Sequence, residues 1–246
     1  MLVDMHIHTN VSYDSKIKVG LLVRKLKELR IAGCAITDHN SLDAIAKAKE
    51  IGKKYNIKIF AGVEISTREG HILAYGLTER PPDHRAVAET IEWVHEHGGV
   101  TCCAHPFRKY EHSVGDNVYH YHFDAIEING RSFFSQNRAA ELASKLMNVS
   151  LIGGSDAHYL QKVGRVTTNF YDEIETEDQL IEAIKKGACE VQYDIQKSYK
   201  PELIQAIPKD ELNILERFIE IRREPQAAII ESVGKRIRFI DANLQK

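Results

Sequence analysis

Short apolar runs of strand length alternate with amphipathic stretches of helix length through most of the chain, and few architectures accommodate that order. The apolar runs are LVDMHIH (2–8), CAIT (34–37), KIFAGVEI (58–65), HILAYGL (71–77), VTCCAH (100–105), DAIEI (124–128) and SLIGGSD (150–156). Between them, KVGLLVRKLKELRI (18–31), SLDAIAKAKEIGKKY (41–55) and stretches around 84–97 and 136–147 carry helical periodicity. About seven strands with interleaved helices imply an α/β chain with a mainly parallel sheet or barrel. No GxGxxG or Walker loop follows the first strand, which favours a barrel over an open dinucleotide-binding sheet.

The pattern continues through a helical TEDQLIEAIKKG (176–187) and a further strand candidate, CEVQY (189–193), and changes character at Lys200-Pro201. The chain therefore divides into a barrel domain over 1–198 and a helical extension over 199–246. Residues 201–246 read as two helices broken near Pro225, with Leu212, Leu215, Phe218 and Ile219, then Ile229, Ile230, Val233, Ile237 and Ile240 at helical spacing. Such a stripe packs against the body of the protein or, as the rival reading, against a second copy, so the expected state is a monomer or a homodimer.

With 246 residues, 43% of them hydrophobic, the chain can bury a sizeable core, which excludes a disordered or collagen-like polymer. A net charge of -2 gives no reason to expect tight non-specific binding to nucleic acid, although a local positive site for a small phosphorylated substrate remains compatible with it. No run approaches the roughly 18 apolar residues of a spanning helix, and MLVDMHIHTN lacks the apolar core of a signal peptide, so no membrane partner is expected and the location reads as cytoplasmic. Cys34, Cys102, Cys103 and Cys189 form no CxxC pair and read as free thiols.

The informative residue is histidine, of which there are 12. His84, His95, His97, His112, His120 and His122 lie in polar segments and read as solvated. The other six, His6, His8, His39, His71, His105 and His158, fall at or near strand ends. In a parallel barrel those ends share one face, so residues far apart in sequence converge there. His6 and His8, two apart in a strand, project to the same side and can share an ion. Asp4 lies on that side one step deeper, where an acceptor for a ring N–H belongs. With Asp14, Glu64 and Asp156, the candidates number nine, too many for one tetrahedral ion and about right for three. Imidazoles and carboxylates without thiolates suit manganese, iron or zinc.

The motifs HIHTNVSYDS, AITDHN, GVEIST, GHILAYG, AHP and GGSDAH, in that order, resemble the PHP (polymerase and histidinol phosphatase) family, most nearly its TrpH-like phosphoesterases. The resemblance implies a distorted seven-stranded (β/α) barrel with two to three divalent ions at its carboxyl face. It places His6, His8, Glu64 and Asp156 on a first ion, Glu64 bridging to a second held by His71 and His105, and Asp14, His39 and His158 on a third. Asp38 matches the motif aspartate in a supporting role. The implied reaction is metal-assisted hydrolysis, with a hydroxide between the first two ions attacking phosphorus in line. Glu64 and Asp156, with Arg131, are the residues expected at the reaction centre. Arg108 and Arg165 are further candidates for the phosphoryl oxygens, because a guanidinium fork matches phosphate. Tyr13 and Asn129 are candidate pocket residues, and Cys103 reads as an inert core thiol.

The implied substrate is a small phosphorylated molecule, with nucleoside mono- or bisphosphates favoured and short RNA or DNA a further option. Only 34 positions separate His71 from His105, which leaves no room for the large insertion domain of some such enzymes. The alternatives are a histidinol phosphatase and a non-catalytic metal-binding module. None of the nine positions is substituted, which argues against the second.

Overall fold

The structure, a computed structural model, describes residues 1–82, 84–109 and 112–193. The extension expected over 199–246, with its two helices and apolar stripe, lies outside the described residues. Along the chain come β1 (Leu2–Ile7), α1 (Val19–Glu28), β2 (Gly33–Ile36), α2 (Ile45–Tyr55), β3 (Lys58–Ser66), β4 (His71–Tyr75), α3 (Val87–Glu96) and β5 (Val100–Cys103). Then follow β6 (Ala125–Asn129), α4 (Phe134–Met147), β7 (Ser150–Gly154), β8 (Val166–Phe170), α5 (Glu177–Lys186) and β9 (Cys189–Tyr193). Among the described residues, no helix is long and apolar enough to cross a membrane.

All the strands join one nine-stranded sheet in the order β7-β6-β5-β4-β3-β2-β1-β8-β9. β1, β2 and β3 pair in parallel, as do β5, β6 and β7, while β4 is antiparallel to both of its neighbours. Reversal of β4 is forced by its connection: residues 67–70 alone separate it from β3, and a parallel crossover needs a dozen residues or more. The sheet curls until β1 meets the chain leaving β7. There the Asp156 N–H donates to the His6 carbonyl at 2.8 Å and the His8 N–H to the Ala157 carbonyl at 3.1 Å. Gly154 sits on this seam, where a Cβ would fall 2.3 Å from the Cβ of His6, so only glycine allows the approach.

Seven strands were expected before β9, and the structure adds β8. Its sequence, VTTNF, is apolar only at its ends, but β-branched Thr167 and Thr168 favour the pleated backbone. The Thr168 hydroxyl both accepts from the Gly153 N–H at 2.8 Å and donates to the Gly153 carbonyl at 3.0 Å.

The interior is filled by Val3, Met5, Leu73, Tyr75, Val100 and Ile152 with neighbours from the other strands, and α5 adds Leu180, Ala183 and Ile184. α5 lies at the strands' amino ends, where the Ser150 hydroxyl donates to the Ile184 carbonyl. Thr176 caps it by accepting from the Gln179 N–H at 3.2 Å, and Gly187, at φ +64°, ends it. A second cluster between β1–β3 and α1–α2 includes Ile7, Cys34, Ile36, Leu22 and Leu26. Val3 and Met5 thus face inward but Ile7 outward with Cys34. The inward phase shifts by one residue across the register irregularity between Asp4 and Ile7, and His6 and His8 take the inward side at the rim.

Candidate metal centre

The carboxyl ends of the parallel strands form one rim. β1 delivers His6 and the following His8, the turn after β2 delivers Asp38 and His39, β3 delivers Glu64, and the chains leaving β5 and β7 deliver His105, Asp156 and His158. His71 reaches the same rim from the start of a strand, because β4 is reversed and His71 pairs with Ser66. Asp14 comes from the loop between β1 and α1. Among the described residues, three sets bring one donor atom per residue within 4.8 Å of each other: His6, His8 and Glu64; His39, Glu64 and His71; and His8, Asp14, His39 and His158.

Glu64 is the hub. Its Oε2 lies 3.3 Å from His6 Nε2, 3.1 Å from His8 Nε2 and 3.2 Å from His39 Nδ1. Its Oε1 lies 2.8 Å from His71 Nδ1 and 2.9 Å from His105 Nε2. Asp156 Oδ1 approaches His6 and His8 at 3.7 and 3.5 Å. Asp14 Oδ2 lies 2.8 Å from His158 Nε2 and 3.4 Å from His39 Nε2. A tetrahedral ion with bonds of about 2.0–2.2 Å separates neighbouring ligand atoms by about 3.3–3.6 Å, and the spacings around His6 and His8 bracket that value, from 3.0 to 3.7 Å.

Hydrogen bonds on the far sides of the rings set their tautomers. His6 Nδ1–H donates to Glu127 Oε1 at 2.7 Å. The Ser12 hydroxyl donates to Asp38 Oδ1 at 2.7 Å and is therefore left to accept from His8 Nδ1–H at 3.1 Å. In the neutral rings both Nε2 atoms then carry lone pairs, and they face each other 3.0 Å apart. Two bare lone pairs at that distance repel; a proton shared between them, or a metal ion in its place, removes the conflict.

Charge in the rim follows the same logic. Burial pulls the His6 imidazolium down, but Glu127, Asp156 and Glu64 outweigh it and hold the pKa well above its ordinary 6.5. His8, also buried, is raised to about 9 by Asp156 and Glu64. Burial pushes Glu64 and Asp156 up, yet His6 and other neighbouring cationic groups hold both carboxyls well below the usual range. Burial takes His39 down to about 4 and lowers His158, keeping those rings neutral, the ligating form. The innermost groups demand positive charge, which the chain supplies as protons on the rings and as the Arg108 guanidinium beside Asp156. His105 at φ +30° and Asp156 at φ +52° occupy a region that residues with a Cβ seldom enter, strain of the kind found where geometry serves a site.

The donor set of imidazoles and carboxylates fits divalent metal. A family model described as PHP-associated matches residues 134–189. The chain is 30% identical over 138 residues to an uncharacterised protein of Methanocaldococcus jannaschii, a match that covers 52% of this chain and 81% of that one. The chain belongs to the PHP family. This PHP chain is also 26% identical over 102 residues to a phosphoribosyl 1,2-cyclic phosphate 1,2-diphosphodiesterase of Eggerthella lenta, which covers 39% of this chain but only 38% of that one. Among solved structures, a two-domain Bacteroides vulgatus protein containing a predicted PHP-like metal-dependent phosphoesterase superposes with a TM-score of 0.65 at 17% identity. That match covers 78% of this chain and 64% of the other.

The PHP rim thus brings together all nine residues singled out from the sequence. Asp4 takes a different place from the one expected: it faces away from the rings and accepts from the Ser155 and Gly164 N–H groups at 2.8 and 2.9 Å, tying the β1–β7 seam. The phase shift in β1 is the cause. The acceptor expected of Asp4 is supplied by Glu127, which the sequence reading passed over, although alternation through AIEIN places Ala125, Glu127 and Asn129 on one side of β6. Asn129 is buried beside Glu127, and Tyr13 is exposed, stacked on His39 with centroids 5.4 Å apart. His112, read as solvated, is exposed but stacks on His71 at 5.2 Å. Cys103 packs in an outer apolar cluster away from the rim.

The three candidate arginines divide. Arg108 is buried against Asp156. Arg131 and Arg165 line a cleft of about 750 Å³ that opens beside Asp14, Asp156 and His158, with Lys162, Phe133, Phe134 and Tyr159 on its walls. Arg131 stands at the junction, its Nη1 3.5 Å from Asp156 Oδ1 and 3.4 Å from His158 Nδ1.

Proposed function

We propose that this chain hydrolyses a phosphate ester of a small molecule, a nucleotide being the favoured substrate, with two to three divalent ions of manganese, zinc or iron held by His6, His8, Asp14, His39, Glu64, His71, His105, Asp156 and His158. The observation that carries the reading is the approach of His6 Nε2 and His8 Nε2 to 3.0 Å with both Nδ1 protons committed elsewhere, a pair that needs a proton or a metal ion between them. Ions at these groups supply Lewis-acid charge to a phosphoryl oxygen and to water. The chain's own residues do the rest. Glu64 offers one oxygen to each of two ring groups, so it sets the spacing between ion positions. Arg131, 40% exposed at the mouth, is placed to hold phosphoryl oxygens entering from the cleft. Arg165, whose Nε is buried without a hydrogen-bond partner, and Lys162 add positive charge further out. Phe133 and Tyr159 are 76% and 52% exposed on the same cleft, and such rings give a flat base a stacking surface. The relative that acts on a phosphoribosyl cyclic phosphate makes a sugar phosphodiester a second substrate to include.

Elemental analysis alongside product analysis tests this: inorganic phosphate from the monoesters, ring-opened monoester from the cyclic phosphate, and nucleotide or phosphate from the RNA. The panel is AMP, 3′,5′-bisphosphoadenosine, histidinol phosphate, a ribose cyclic phosphate and a short 5′-phosphorylated RNA, with manganese, zinc or iron added. Two to three ions per chain with release from a nucleotide is the expected result. Release from histidinol phosphate alone would replace the nucleotide reading, and bound metal without hydrolysis product from any member would make the chain a non-catalytic metal-binding module.

A further inference from the structure

Arg108 lies in the connection after β5 and is buried, turned away from the cleft and into the rim. Its Nη2 donates to Asp156 Oδ2 at 2.7 Å and to the Asn129 side-chain oxygen. Asn129 Nδ2 donates to the same Asp156 Oδ2 at 3.2 Å and to Glu127 Oε2 at 3.1 Å. Glu127 Oε2 also accepts the His105 N–H at 2.7 Å, while its Oε1 takes His6 Nδ1–H at 2.7 Å. One buried hydrogen-bonded chain thus links Arg108, Asp156, Asn129, Glu127, His6 and the strained backbone of His105.

We propose that Arg108 is a positioning residue for the metal centre and not a phosphate-binding one. With Asn129 it occupies Asp156 Oδ2, so that Oδ1 alone faces the Nε2 atoms of His6 and His8. Through Asn129 and Glu127 it ties that orientation to the His6 tautomer and to the turn carrying His105. A guanidinium suits the task because its fork is planar, stays charged and can meet two acceptors in fixed directions. Lysine offers a single point charge and reproduces only part of it. Loss of the guanidinium removes the 2.7 Å contact to Asp156 Oδ2, leaves the longer Asn129 contact in place and loosens the hold on the carboxylate's orientation. Partners that orient a ligand in this way are typically worth about 10–100-fold in metal affinity.

This inference rests on reading the rim as an ion site, and one set of titrations separates the two. Manganese is titrated calorimetrically into the chelator-treated full chain as wild type, Arg108→Gln and Arg108→Lys. Thermal unfolding of each metal-free protein is recorded, and inorganic phosphate binding is measured at saturating manganese. Wild type binds manganese, Arg108→Gln binds it about 10–100-fold more weakly, Arg108→Lys regains part of the loss, and phosphate affinity changes little once the ions are in place. If Arg108→Gln does not fold, Arg108→Lys at wild-type thermal stability carries the test, with weakened metal binding as the expected result. Wild-type metal affinity in a folded variant, with phosphate affinity lost instead, would overturn the proposal and return Arg108 to the substrate. Wild type that binds no manganese, zinc or iron would overturn the ion site itself.

Discussion

At the amino end of the barrel, α5 lays Leu180, Ala183 and Ile184 onto an apolar interior, its first turn capped by Thr176 and its last closed by Gly187. At the carboxyl end, His6, His8, Glu64, Glu127 and Asp156 are each at most 2% exposed, and two residues of the rim hold positive φ. The amino end obeys every local preference for helix capping and apolar burial. The carboxyl end violates them, burying charge that no side chain fully balances. A folded chain accepts such costs where other parts supply the stability, and here the strand bodies and α5 do so. The amino end thus carries stability, and the carboxyl end carries the cost of the proposed ion site.

Substitutions at the two ends should therefore have effects that do not overlap. The largest is expected at the hub of the rim: Glu64→Ala should lower phosphate release by about 10³-fold, equivalent to the several kcal/mol a metal site contributes, and bind less metal on elemental analysis. Normal turnover by that variant would erase the distinction between the ends. At the base, Leu180→Ala should cost about 2–5 kcal/mol in denaturant unfolding, with the number of bound ions unchanged. A loss of metal there with no loss of stability would mean that the ends are not separable.

The smallest effect, taken per pH unit, concerns protons. His8 is raised from 6.5 to about 9 when no ion is present. In the metal-free protein its contribution to stability is fully present below pH 6.5 and is lost as the pH rises through about 9. An ion replaces that proton, so metal affinity should rise about tenfold per pH unit over the same window for each proton displaced. Calorimetric titrations at several pH values check this, and a pH-independent affinity would show that the rim takes up no protons that an ion must displace.

Much of this was legible in the sequence. The nine rim residues could be picked out because short motifs sit at the ends of apolar runs, and helix α5 because TEDQ and a terminal glycine bracket it. β4 was legible as a strand but its direction was not taken from the pattern, since alternation carries no polarity. The four-residue connection at 67–70 held that information. β8 was hidden by Thr167, Thr168 and Asn169, which read as loop until the Gly153 backbone is seen to need the Thr168 hydroxyl. Asp4 was misplaced because strict alternation ignores a bulge, and a bulge is set by pairing with β2, not by β1 itself. The inward turn of Arg108 depends on Asn129 and Asp156, residues from two other segments, and no local pattern reports it.

The proposed ion site requires cations between the facing ring nitrogens of the rim. Anomalous diffraction at the manganese, iron and zinc edges from crystals of the metal-loaded protein tests it most directly. A peak is expected within bonding distance of both His6 Nε2 and His8 Nε2 and of Glu64, with a further peak beside His71 and His105 or beside Asp14 and His158. Ordered His6 and His8 rings at their present spacing with no peak between them would contradict it.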